Sequence, residues 1–279
     1  MRIDAHQHFW HYSPAEHIWM NNRMEVLKHD FLPHDLQPLL KPLEFDGSVA
    51  VQARQSLEET QWLLQLAERH DFIKAVVGWV DLCSSELSKQ LIEFAGHSKL
   101  CGVRHVLHDE PDDEFMLRPG FRGGISKLED FNLTYDLLLF PRHIPHATRL
   151  VREFPRQAFV LDHIGKPMIA EGRTEPWRED VLRLAESPNV HCKLSGMVTE
   201  ANWKQWKAED FQTYLDIVVE AFGPDRLMIG SDWPVCILSA DYEATMQIVV
   251  DYIARFAPIE QAGIFGENCA RFYGIAEGA

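Results

Sequence analysis

The chain has 279 residues, 46% of them apolar and 25% charged, a balance that fills a large interior and excludes a disordered polypeptide. Its length matches one continuous (β/α)8 core, so a single domain over residues 1–279 is expected. A formal net charge of −15 with no basic run excludes a nucleic-acid partner and favours a small-molecule ligand.

Five cysteines, widely spread and without a C-x-x-C pair, suggest neither a disulfide framework nor a zinc knuckle, and a reducing cytoplasm is the expected compartment. The opening MRIDAHQHFW has polar residues where a secretory signal would be apolar, and no run of 18 apolar residues occurs. Neither export nor membrane insertion is expected.

Short runs rich in Val, Ile and Leu alternate with longer amphipathic stretches, the pattern of repeated β-α units on a parallel sheet. The first predicted strand, Ile3–His6, runs into His6-Gln7-His8, and extended alternation aims both imidazoles to one side. With 14 histidines present, H-x-H arises by chance on the order of once, so its place at a strand end is the informative part. Strand two, Ser48–Arg54, ends in Gln52 and Arg54 on a shared face and leads to a helix over Leu57–Arg69. Strand three, Ile73–Val80, precedes a helix over Leu87–Ala95. Strand four, Leu100–Val106, contains Gly102-Val103-Arg104-His105, and a helix follows over Phe121–Phe131.

Strand five, Leu133–Leu139, carries Tyr135 and Asp136; alternation is expected to turn Asp136, like His105, toward the helices. After a helix over Pro145–Phe154, strand six, Phe159–His163, places Phe159, Leu161 and His163 on one face, with His163 before a Gly-Lys-Pro turn. A helix over Trp177–Ser187 leads to strand seven, Val190–Leu194, in which His191 and Lys193 lie opposite Val190, Cys192 and Leu194. The last helix read, Phe211–Phe222, precedes strand eight, Leu227–Asp232, with Met228, Gly230 and Asp232 on one face.

Eight strands with intervening helices predict a (β/α)8 barrel, since a doubly wound nucleotide fold needs a Gly-rich first turn that AHQHFW lacks. Ionisable residues at the carboxyl ends of barrel strands converge on one pocket. The long connections Phe9–Leu36, Leu107–Gly124 and Ile164–Trp177 follow strands one, four and six as candidate walls or lids.

The ordered set I-D-A-H-Q-H-F-W, V-Q-A-R, G-V-R-H, L-D-H-I-G-K-P, K-L-S-G-M and G-S-D-W-P-V, spread over the whole chain, resembles the amidohydrolase superfamily. More narrowly it resembles the branch of sugar lactonases that includes L-fuconolactone and L-rhamnonolactone hydrolases. The resemblance implies a distorted (β/α)8 TIM barrel of the amidohydrolase type in which Asp232 handles the proton of an attacking water, with His6 and His8 as the first-strand pair and His163 as the sixth-strand histidine. No lysine ends strand four and no histidine ends strand five, which departs from the binuclear pattern. One divalent cation, zinc or manganese, suits the set His6, His8, His163 and Asp232; a metal-free site stays open beside it, and no organic cofactor is implied.

On this reading the partner is a sugar lactone, Asp232 takes a proton from water and returns it to the leaving alkoxide, and the three histidines polarise the carbonyl. Arg104 and Lys193 add charge, and Tyr135, Gln52, Arg54, Trp10 and Trp233 are expected to line the pocket. Decarboxylation or C–N hydrolysis on the same barrel is the alternative chemistry. A non-catalytic sugar-binding barrel is a further alternative, although such a site has no need of a base at Asp232.

Overall fold

The alternating pattern closes into a barrel in the computed structural model, which describes residues 1–94 and 96–276. Its strands are β1 (Ile3–Gln7), β2 (Gly47–Val51), β3 (Ile73–Gly78), β4 (Leu100–His105), β5 (Thr134–Leu137), β6 (Phe159–Leu161), β7 (Val190–Leu194) and β8 (Leu227–Ile229). They form one eight-stranded sheet in sequence order, each parallel to the next. The ring closes just past β8, where Asp232 N donates to His6 O at 2.8 Å and His8 N donates to Trp233 O at 2.7 Å. The barrel seam therefore joins the two segments that carry His6, His8 and Asp232.

Helices Leu57–Arg69, Leu87–Phe94, Pro119–Leu128, Ile144–Glu153, Trp177–Ala185 and Glu209–Phe222 occupy the expected stretches, and Ala95 lies outside the described residues. Helix Leu57–Arg69 shows why: Ser56 caps it by accepting from Glu59 N, and Leu63, Leu64 and Ala67 recur on its buried face. A further helix, Tyr242–Ile253, was not among those read from the sequence; Asp241 caps it. Among the described residues no helix is long and apolar enough to cross a membrane.

Ile3, Ala5, Val49, Val51, Ala75, Val77, Val160 and Met228 fill the barrel interior, and Cys269 and Tyr273 pack against them. The larger core lies between sheet and helices and takes Tyr135, Phe159, Leu161, Val190, Cys192 and Leu194.

Local irregularities decide which side chains face inward. In β1, Asp4 pairs with Ser48 but Gln7 pairs with Ala50, so one strand advances three residues while its neighbour advances two. This bulge leaves Ala5 and His6 both inward and brings His8 in after them. A similar step in β4, between Leu100 opposite Val76 and Gly102 opposite Val77, sets the phase that turns Arg104 inward. Register then carries that phase onward: Arg104 pairs with Asp136 and Asp136 with Val160, whereas Val103 pairs with Tyr135 and Tyr135 with Phe159.

Two expectations are corrected by this register. Asp136 faces the barrel interior, and Tyr135 faces the helices, where its ring meets Phe121 at 5.8 Å and Phe159 at 6.1 Å. His105 does point to the helix side, stacked on Phe115. Strands six and eight are also shorter than expected, ending at Leu161 and Ile229. Phe159 and Leu161 face the helices rather than sharing a face with His163, and His163 (φ 55°) and Asp232 (φ 56°) turn left-handed beyond the strand ends.

Candidate active site

Three imidazoles and one carboxylate meet at the carboxyl end of the barrel. His6 Nε2 lies 3.2 Å from His8 Nε2, and Asp232 Oδ1 lies 3.3 Å from His8 Nε2 and 3.8 Å from the Nε2 atoms of His6 and His163. Each ring is held from behind. His8 Nδ1 is 2.8 Å from the Val51 carbonyl oxygen, which can only accept, so this nitrogen carries the hydrogen when the ring is neutral and Nε2 presents a lone pair. His163 Nδ1 is 2.9 Å from Ser195 Oγ, and His6 Nδ1 is 3.3 Å from Asp162 Oδ1.

Backbone geometry places these groups at a cost. Residues 163–166 all have positive φ, from 49° to 76°, and each non-glycine residue in such a turn is disfavoured by about 1–2 kcal/mol. Strain of this kind persists where surrounding structure over-determines it, and it clusters at functional sites. Gly196, at φ 64°, abuts the His163 ring so closely that a Cβ there would lie 2.5 Å from Nδ1.

Beneath this layer is a buried ionic network. Lys193 Nζ donates to Asp136 Oδ2 at 2.5 Å and lies 3.0 Å from Asp162 Oδ1, and Arg104 Nη1 donates to Asp162 Oδ2 at 3.0 Å. Tyr273 Oη donates to Asp136 at 2.9 Å, and Gln52 holds Arg104 by accepting from Nη2 through its backbone oxygen at 2.5 Å. Two cations thus balance two carboxylates in the barrel, as burial of ions demands.

The surroundings set the protonation states. Burial drives His6 and His163 well below the usual imidazole value, so both are neutral near pH 7. Burial alone would raise Asp232, but the His163 and His8 rings that face it outweigh burial and leave the carboxyl below its ordinary value. Burial likewise opposes ionisation of Asp162, yet Lys193, His6 and Arg104 pull it well below the carboxylate range. Asp136 is raised to about 6 by burial, against the pull of Lys193.

Above the histidines opens a cavity of about 650 Å³, within the size range of small-molecule sites. His8, His163, Asp232, Arg104, Arg54 and Trp10 line it. The other expected lining residues lie elsewhere. Gln52 is fully buried against Arg104, Lys193 is sealed beneath His6, Tyr135 is on the helix side, and Trp233 packs on Phe9 and Phe31. Sequence reasoning missed Asp162, Ser195, Lys166, Glu200 and His108. Asp162 was visible beside His163 in L-D-H-I-G-K-P, but strict alternation drew attention to its neighbour.

The donor set fits a divalent cation. His6 Nε2 accepts from Arg104 and His8 Nε2 presents its lone pair, so two acceptors face each other at 3.2 Å beside a carboxylate. Positive charge relieves that repulsion, and the spacing of 3.2–3.8 Å suits ligands bonded at about 2.0–2.2 Å to one first-row ion. His6, His8 and Asp232 form the tightest group, and His163 adjoins it.

Residues 3–275 match the family model described as Amidohydrolase. The chain is 40% identical to an L-fucono-1,5-lactonase of Burkholderia multivorans over all of this chain and 98% of that one. It is 39% identical to an L-fucono-1,5-lactonase of Burkholderia ambifaria, over 98% of this chain and 96% of the other. A crystal structure of an amidohydrolase from Burkholderia multivorans with bound zinc superposes with a TM-score of 0.95 at 40% identity, over 99% of this chain and 100% of that one. A (β/α)8 barrel with its histidines and aspartate gathered at the strand ends, matched by that model over nearly its whole length, belongs to the amidohydrolase family.

Proposed function

We propose that this protein hydrolyses a sugar lactone to the aldonic acid, with an L-fucono-1,5-lactone-like substrate and Asp232 as the base that activates water. The observation that carries the reading is a depressed carboxylate lining the cavity among three Nε2 atoms, two of them from neutral imidazoles. The similarity to two L-fucono-1,5-lactonases supports the substrate class.

Asp232 Oδ1 takes a proton from water as its oxygen bonds to the lactone carbonyl carbon. Arg104 faces the oxyanion that forms, and Asp232 returns the proton to the ring oxygen as the C–O bond breaks. Asp162 holds His6 from behind, and Ser195 holds His163, which limits reorientation during the step. A zinc or manganese ion would be held by His6, His8 and Asp232 with His163 beside them, and would supply Lewis-acid polarisation of the carbonyl and a lowered pKa of water.

The test is acid release from L-fucono-1,5-lactone, followed with a pH indicator, before and after chelation and for Asp232→Asn. Wild-type protein is expected to release acid rapidly and the variant at least about 100-fold more slowly. Retention of more than about a tenth of the turnover removes Asp232 from the base role. Silence of the wild type toward aldonolactones removes the lactonase reading itself.

A further inference from the structure

Lys166 and Glu200 take no part in the chemistry above, yet both line the cavity. Lys166 closes the left-handed turn that begins at His163, and its backbone N–H donates to His163 O at 2.9 Å. One short segment after β6 thus delivers a ring to the reaction centre and an ammonium to the cavity wall. Glu200 ends the short helix Met197–Glu200 that follows β7, and its Oε1 lies 3.1 Å from Lys166 Nζ, with side chains 23% and 15% exposed respectively.

A second ion pair on the cavity wall is built differently. Arg54 pairs with Glu16, but its Nε also donates at 2.7 Å to Glu59, a carboxylate only 1% exposed that accepts from the Ala53 and Arg54 backbone as well. That guanidinium is anchored by the fold. Lys166 has three N–H donors and meets Glu200 with one, while Glu200 keeps a second oxygen, so the pair offers donors and an acceptor side by side. The β8–β1 side also brings apolar groups to the wall, Trp10 and Met24 after β1 and Val235 and Leu238 after β8.

A polyhydroxylated ring has hydroxyls that need both donors and acceptors and C–H faces that need neither. We propose that Lys166 and Glu200 read the hydroxyl pattern of the substrate. Nζ donates to one hydroxyl oxygen and the Glu200 carboxylate accepts from its neighbour, selecting lactones with two adjacent hydroxyls turned toward β6 and β7. This rests on the lactonase reading and assigns its specificity to two residues outside the reaction centre.

Selectivity is the measurement: kcat/KM for L-fucono-1,5-lactone divided by kcat/KM for unsubstituted δ-valerolactone, in wild type, Lys166→Met, Glu200→Gln and Lys166→Arg. A site built to hydrogen-bond hydroxyls loses discrimination when a partner is removed. The ratio is expected to fall at least about tenfold in the Met and Gln variants, mainly through KM, and to recover in part with Arg. An unchanged ratio, with both lactones losing equally, overturns the proposal, since damage to the fold or the base affects the two alike. If the wild type opens neither lactone, the lactonase reading fails separately, and calorimetric binding of L-fuconate decides the inference. Binding weakened about tenfold in both variants sustains it, and absent or unaltered binding overturns it.

Discussion

Arg104 Nη1 lies 3.2 Å from His6 Nε2, the nitrogen that a cation bound with His8 and Asp232 requires. A guanidinium stays charged in proteins, so it competes for the same lone pair and repels a divalent ion by several kcal/mol at about 4 Å and an effective dielectric near 20. Arg104→Met is therefore expected to tighten zinc binding at least about tenfold, measured against a chromophoric chelator. Weaker or equal binding in the variant means that Arg104 supports the ligand set rather than opposing the ion.

Lys193 joins Asp136 and Asp162 without access to water, and all three side chains are fully buried. Lys193→Met leaves two carboxylates facing each other and is expected to destabilise the protein by about 3–5 kcal/mol in urea denaturation. Asp136→Asn added to that variant should restore part of the loss. Additive losses in the double variant show that the pair is not coupled.

Gly196→Ala places a methyl group 2.5 Å from His163 Nδ1 at a backbone φ of 64°. The ring has to shift from its place beside Asp232, and displacement of about 1 Å at a reacting group costs about 100-fold in rate. Steady-state kinetics alongside a thermal melt checks this, and a variant with wild-type kcat shows that His163 need not hold its position.

Asp4 accepts from Ser231 N at 2.9 Å and Ser231 Oγ at 2.6 Å, but its complete burial outweighs those bonds and raises its carboxyl to about 6. The unfolded chain releases this proton near 3.8 and the folded chain near 6, so the group's contribution is complete below 3.8 and is lost as pH rises toward 6. The loss is about 3 kcal/mol across that window. The stability difference between wild type and Asp4→Asn, from urea titrations at several pH values, should change by that order between pH 4 and 7. Parallel curves show that Asp4 does not titrate there.

Asp162 works in the opposite sense. Its depressed pKa stabilises the fold at neutral pH, and that contribution is lost only as pH falls through the depressed value. Asp162→Asn should therefore lower stability at pH 7 and approach the wild type in strong acid. A variant as stable as the wild type at pH 7 shows that Lys193, His6 and Arg104 do not stabilise the ionised carboxyl.

The sequence by itself determined the alternation of strands and helices, the count of eight, and the presence of His6, His8, His163 and Asp232 near strand ends. Apolar periodicity and turn residues are local, and they can be read along one chain. Which face each side chain takes was decided by tertiary structure. Strict alternation assigned Tyr135 to the pocket and Asp136 to the helices; cross-strand register with Arg104 and Val160 assigns them the other way. A one-residue shift in phase exchanges the two faces of a strand, and the bulges in β1 and β4 that set the phase depend on neighbouring strands. His163 and Asp232 reach the site through left-handed residues past the strand ends, held there by packing and by the β8–β1 seam rather than by local propensity. The same holds for Asp162 and Lys193, residues 31 apart in number, whose ion pair exists only because β6 and β7 lie side by side.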